Sequence, residues 1–176
     1  MKRILYKSIH SLLILSIAIA FLGCTQDEGE ITTIILVRNA EVIKERNNPN
    51  PALAQEGVER AQGLAILLKD NPLEAIYALN NEASTQTVEP TAISHNLDVI
   101  SFEKNDLTVI DKILQFNNGK KVLMVTNVEH IPQILNQLVG EAKYGALPEY
   151  KFDNFYVISI LKKGKVSITT LKYGDG

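Results

Sequence analysis

One cysteine, no tryptophan and three histidines are all that this 176-residue chain offers toward redox or metal chemistry. A lone Cys24 excludes an intramolecular disulfide framework, and with only His10, His95 and His130 beside it there are too few soft ligands for a structural zinc cage. No cofactor is implied. Basic excess is missing too: 18 Lys and Arg stand against 20 Asp and Glu, a formal charge of -2. Nucleic-acid binding needs a basic patch or stripe along the phosphate backbone, so that class of partner is excluded. Long apolar runs are also absent. Leu12 to Leu22 would form a helix roughly 16 Å long at ~1.5 Å per residue. A hydrocarbon core is about 30 Å thick, so this run is too short for a permanent span. The length suits one domain rather than two.

What the chain does have begins with a basic start, Lys2, Arg3 and Lys7, ahead of that apolar run. This order is the grammar of a secretory signal peptide. The run ends in Phe21-Leu22-Gly23-Cys24, which resembles the lipobox of bacterial lipoproteins, where the Cys is diacylated and becomes the mature N-terminus. The alternative is a buried or free cysteine. Lipidation on Cys24 implies a membrane partner and stable anchoring, since more than one acyl chain is added. Residues 1–23 are thus read as a signal peptide. Residues 24–30, with Thr25-Gln26-Asp27-Glu28-Gly29-Glu30, are read as an acidic tether, and 31–176 as the folded domain. The tether also looks like the acidic surface-export signal that follows the lipidated Cys in some bacterial lipoproteins. Removing the signal takes three basic and no acidic residues, which moves the charge from -2 to -5.

The body alternates strand and helix signals. Ile31 to Val37 is a continuous β-branched run suited to a central strand covered on both faces. Glu45 to Pro51 is a loop, and Leu53 to Asp70 carries apolar residues at helical spacing. Then come a strand over Glu74–Leu79, a helix over about Ala83–Asn96, a short strand at Val99-Ile100 and a helix over about Leu107–Phe116. Lys120–Thr126 reads as a second buried strand and Pro132–Val139 as a helix. Phe155–Leu161 and Lys165–Leu171 flank Lys162-Lys163-Gly164, a hairpin signal. This order predicts a three-layer α/β/α sandwich with a mostly parallel central sheet and a C-terminal β-hairpin.

Leu36-Val37-Arg38-Asn39-Ala40-Glu41 resembles the L-V-R-H-[AG]-E signature of the histidine phosphatase superfamily, also called phosphoglycerate mutase-like. Three further segments are similar in order and spacing. Leu53-Ala54-Gln55-Glu56-Gly57 with Ala61-Gln62 and Leu64-Ala65 resembles L-T-x-x-G and A-Q-x-L-A; Ala75-Ile76-Tyr77 with Thr85 to Pro90 resembles A-I-Y-S-S-x-x-x-R-x-x-Q-T-A-E-P. Val122 to Asn127 with Ile131-Pro132 resembles V-L-V-V-[GS]-H-x-x-x-I-P. The resemblance covers about Ile31 to Gly140 and implies the fold just described. It also implies an activity: a His attacks the phosphoryl group, two Arg and a second His hold the phosphate, and a carboxylic acid protonates the leaving oxygen.

Residue by residue, the implied machinery is depleted. Arg38 occupies the first Arg position. Asn39 stands at the nucleophile, and a carboxamide nitrogen has no lone pair basic enough to attack phosphorus. Ala83 falls where the second Arg belongs and Asn127 where the second His belongs. Three lost charge-assisted contacts at ~1.5–3 kcal/mol each amount to at most about 5–9 kcal/mol, enough to weaken phosphate capture by thousands-fold. Ala54 replaces a Thr suited to capping the next helix. His130, three positions past Asn127, is the candidate for a substitute catalytic His, with a surface imidazole as the alternative. His95 is expected to be solvated. Glu82 and Glu103 are weak candidates for the acid, and surface carboxylates otherwise.

Arg38, Asn39 and Asn127 are expected to form a remnant pocket at the strand C-termini, holding a phosphate, another small anion or a polar ligand weakly. In the alternative, Arg38 pairs with a carboxylate such as Glu41 and the two Asn satisfy loop backbone. The expected function is a catalytically inactive histidine-phosphatase-like lipoprotein of the bacterial envelope, facing the periplasm or cell surface, with an envelope protein as a further partner. The competing expectations are a phosphatase with residual or altered activity on phosphorylated small molecules and a folded spacer.

Overall fold

A computed structural model of the chain describes residues 29–106, 108–162 and 165–174. The expected signal peptide, Cys24 and all of the tether but Gly29 and Glu30 lie outside the described residues, as do Leu107, Lys163 and Gly164, the last two at the expected hairpin turn.

The elements run β1 (Thr32–Arg38), α1 (Gln55–Leu68), β2 (Ala75–Leu79), α2 (Glu82–His95), β3 (Val99–Phe102), α3 (Val109–Phe116), β4 (Lys121–Thr126), α4 (His130–Val139), β5 (Asn154–Lys162) and β6 (Lys165–Lys172). One six-stranded sheet has the order β3-β2-β4-β1-β5-β6. β1 to β4 are mutually parallel, while β5 runs antiparallel to β1 and pairs with β6 as a hairpin. The predicted sandwich is the observed one.

Alternation along each central strand splits the core in two. Ile34 and Leu36 of β1, Val122 and Met124 of β4 and Tyr77 of β2 face α3 and α4, packing on Ile110, Ile113, Ile131 and Leu135. Ile35, Val37, Leu123, Val125 and Ile76 face α1 and α2, packing on Leu64, Leu68, Val88 and Ala92. Both faces are covered, which is why β1 and β4 read as unbroken apolar runs.

Helix starts differ from the sequence reading for local reasons. Leu53 does not begin α1: it bridges Val42, and its N–H donates to Gln86 Oε1 at 2.8 Å. Asp106 accepts from Thr108 N and Oγ1, a turn that delays α3 to Val109. α4 starts two residues before Pro132, and proline is tolerated in a first turn because that N–H has no helical partner there. Gly57 sits where α1 crosses the backbone of Glu41 so closely that a Cβ would collide with the Glu41 carbonyl.

Candidate functional site

The site grows out of two adjacent strand ends. Arg38 and Thr126 are register partners, and Asn39 N donates to Thr126 O at 2.7 Å, so Arg38, Asn39 and Asn127 emerge side by side. Beyond β2, Asn81 caps α2 by accepting from Ser84 N at 2.7 Å, which sets Ala83 in the first turn. Arg38, Asn39, Ala83 and Asn127 all line one cleft of ≈ 440 Å³. Asn50, Asn81, Glu129, Glu149 and Phe152 share its wall. It lies at the C-terminal ends of parallel strands, where open α/β sheets place ligands.

Arg38 is 7% exposed. Its Nη1 donates to the carbonyls of Glu149 at 2.6 Å and Lys151 at 3.1 Å, and the guanidinium lies 3.8 Å over the Phe152 ring. Its Nε is buried with no hydrogen-bond partner among the described residues. Burial lowers the affinity of this side chain for its proton, opposed by Glu41, Glu129 and Glu149. The expected alternative of an Arg38–Glu41 pair does not occur. Glu41 instead takes a two-pronged bond from Arg60, Nε at 2.9 Å and Nη2 at 2.8 Å, because α1 brings Arg60 directly over it.

Asn39 turns its Nδ2 onto the carbonyl of Ala40 at 3.0 Å. Ala40 N donates to Thr87 Oγ1, which itself donates to Ala83 O at 2.6 Å, so Thr87 ties the loop after β1 to α2. Asn127 Oδ1 accepts from His130 N at 3.2 Å.

The remaining sequence candidates fall elsewhere. His130 is neither a surface imidazole nor part of the cleft wall: it is 7% exposed, with Nδ1 3.1 Å from Thr126 Oγ1. Burial and nearby Lys104 push its pKa below the usual value, opposed by Glu129. His95 is half-buried rather than solvated. Its Nδ1 lies 3.0 Å from Thr91 O and its Nε2 2.9 Å from Asn71 O, because the end of α2 folds back over the turn after α1. Glu82 and Glu103 are exposed and engage Gln86 and Asn80 outside the cleft wall. Glu129, Glu149 and Asn50 were not read from sequence, since loop residues carry no periodicity; only Asn81 had a signal, an N-cap residue type ahead of a helix.

A larger open groove of ≈ 870 Å³ adjoins the cleft at Phe152. Two ion pairs run along it, Arg60 to Glu41 and Lys172 to Asp153, each at 2.8 Å. Among the described residues no cluster of three or more His, Cys, Asp or Glu could hold a metal, and no helix is long and apolar enough to cross a membrane.

The chain matches no protein-family model and no curated protein sequence. Solved structures share its three-dimensional path. The protein histidine phosphatase SixA complexed with tungstate superposes with a TM-score of 0.64 at 14% identity, covering 80% of this chain and 96% of that one. Phosphoglycerate mutase from Bacillus anthracis str. Sterne gives 0.59 at 14% identity, covering 83% and 95%. Phosphoserine phosphatase from Entamoeba histolytica, in complex with 3-phosphoglyceric acid, gives 0.59 at 13%, covering 82% and 98%. The order of motifs in the sequence and the path of the backbone agree: this chain has the phosphoglycerate mutase-like fold of the histidine phosphatases.

Proposed function

We propose that the protein is a catalytically inactive histidine-phosphatase-like lipoprotein, a binding or interaction module held in the bacterial cell envelope by a lipid on Cys24. The observation that carries this reading is Asn39. At the strand end where the resemblance calls for a nucleophilic imidazole stands a carboxamide, and its nitrogen is committed to the Ala40 carbonyl. An amide nitrogen is conjugated with its carbonyl and forms no phosphoryl adduct under these conditions.

The surroundings support the same reading. Ala83 and Asn127 bring no positive charge to the cleft, and Arg38 spends one end of its guanidinium on two backbone carbonyls and a ring face. A phosphoryl group in flight needs several fixed positive or donor groups around its oxygens. The envelope half of the proposal rests on the basic start, the apolar run and Phe21-Leu22-Gly23-Cys24. An envelope protein, reached from the periplasmic or the cell-surface side, is the partner it implies.

The rival reading, a phosphatase with residual or altered activity, has Arg38 on the cleft wall in its favour. One assay separates the two. Residues 25–176 contain every core strand and helix, and this piece should hydrolyse p-nitrophenyl phosphate no faster than its Arg38→Ala variant. Turnover that Arg38→Ala abolishes, or a phosphorylated side chain trapped by mass spectrometry after incubation with the donor, overturns the proposal.

A further inference from the structure

The carboxamides of the cleft are oriented, and their orientation is set by backbone. Asn50 Oδ1 accepts from Glu82 N at 2.8 Å, Asn81 Oδ1 from Ser84 N at 2.7 Å, and Asn127 Oδ1 from His130 N. A backbone N–H can only donate, so in each residue the oxygen is the atom facing the backbone, and the NH₂ is the atom left over. None of these three NH₂ groups has a protein partner among the described residues. Asn39 is the reverse: its NH₂ is used on Ala40 O, and its oxygen is left without one.

Two carboxylates complete the wall. Glu129 and Glu149 are exposed at its rim, and both act electrostatically on Arg38. The cleft therefore has one cation, already shared between two carbonyls, against two anions. A phosphate dianion entering it would meet net negative charge and three neutral donors, a poor exchange for its hydration shell. The wall suits a ligand that is uncharged, accepts from amide NH₂ groups and donates to carboxylates through the same atoms. Hydroxyl groups do both. Pro49, Pro51 and Val42 supply apolar surface for the C–H faces between such hydroxyls, and ≈ 440 Å³ lies within the range of small-molecule sites.

We propose that this cleft binds an uncharged polyhydroxylated ligand, a sugar, through the free amide groups of Asn50, Asn81 and Asn127 and the carboxylates of Glu129 and Glu149. This deepens the binding-module reading and rests on it for the view that the cleft no longer serves phosphoryl chemistry.

The full chain in detergent micelles is titrated calorimetrically with glucose, galactose, mannose, xylose, N-acetylglucosamine, cellobiose and maltose, and separately with inorganic phosphate. At least one neutral sugar should bind at millimolar or lower concentration, with phosphate weaker. Asn127→Ala and Asn50→Ala should each weaken that sugar about five- to tenfold, the loss of one neutral hydrogen bond. Ile66→Ser, at a 76% exposed site on α1 outside the cleft, should change nothing. Asn50 is exposed, so Asn50→Ala decides the matter if Asn127→Ala does not fold. Sugar affinity untouched by the Asn50 change, phosphate binding without sugar binding, or no binding at all overturns the proposal. These results are independent of p-nitrophenyl phosphate turnover: hydrolysis sinks the inactive reading, and absence of sugar binding sinks this one.

Discussion

Thr87 shows how the cleft is held by a residue that does not line it. It is fully buried, and its hydroxyl accepts from Ala40 N while donating to Ala83 O. Ala40 is itself fully buried, so no water can replace that acceptor. Thr87→Val keeps the shape and removes the hydroxyl, leaving an unpaired buried N–H at a cost of about 1–3 kcal/mol. Thermal unfolding should show a midpoint lower by roughly 3–10 °C, and Thr87→Ser should recover most of it. An unchanged midpoint in the valine variant would mean that the Ala40 N–H finds another acceptor. At this scale the sequence was legible where a motif fixed a position: Arg38, Asn39, Ala83 and Asn127 do share one cleft. It was not legible where burial decides. His95 and His130 look like ordinary polar residues in the chain, and only the folded packing covers them, Asn71 of a distant turn against His95 and the end of the preceding strand, Thr126, beside His130.

Among the elements, α1 carries the plainest defect. Its N-cap residue, Ala54, has the extended backbone of a cap, φ -72° and ψ 171°, and no side-chain oxygen to meet the first-turn N–H groups. The backbone is in place for a better residue. Ala54→Thr should therefore stabilise the protein by ~0.5–2 kcal/mol, seen as a rise in the unfolding midpoint with no change in denaturant m-value. A fall would show that the half-buried site has no room for the larger side chain. The sequence reading of elements succeeded for β1 and β4, whose two covered faces write an uninterrupted apolar run, and for the hairpin. It stopped at the segment between α4 and β5. Residues 141–153 have no periodicity and no regular structure, yet they deliver Glu149, Lys151 and Phe152 to Arg38. An irregular segment is positioned by what it meets, and Arg38 lies more than a hundred residues earlier.

Taken as one cooperative unit, the domain is predicted to weaken in mild acid through a residue outside the cleft wall. His130 titrates near 6.5 when unfolded, and in the native state burial and Lys104 lower its pKa below that, against the pull of Glu129. Between the two values the unfolded chain binds more protons than the folded one, so stability rises with pH across that window and falls as pH drops through 6.5. A single proton limits the slope to about 1.4 kcal/mol per pH unit. The carboxylates held low by lysines, Asp106 at about 2 beside Lys112 and Asp153 beside Lys172, act in the same direction but only at more acidic pH, near the ordinary carboxylate range and below. Urea unfolding between pH 7.5 and 5 should thus give a declining free energy for the parent chain. His130→Gln retains a hydrogen-bonding group near Thr126 Oγ1 and has nothing to protonate, so its curve should be flatter. Parallel curves for the two proteins would show that the His130 pKa does not differ between the folded and unfolded chain, and would place the acid sensitivity elsewhere in the fold.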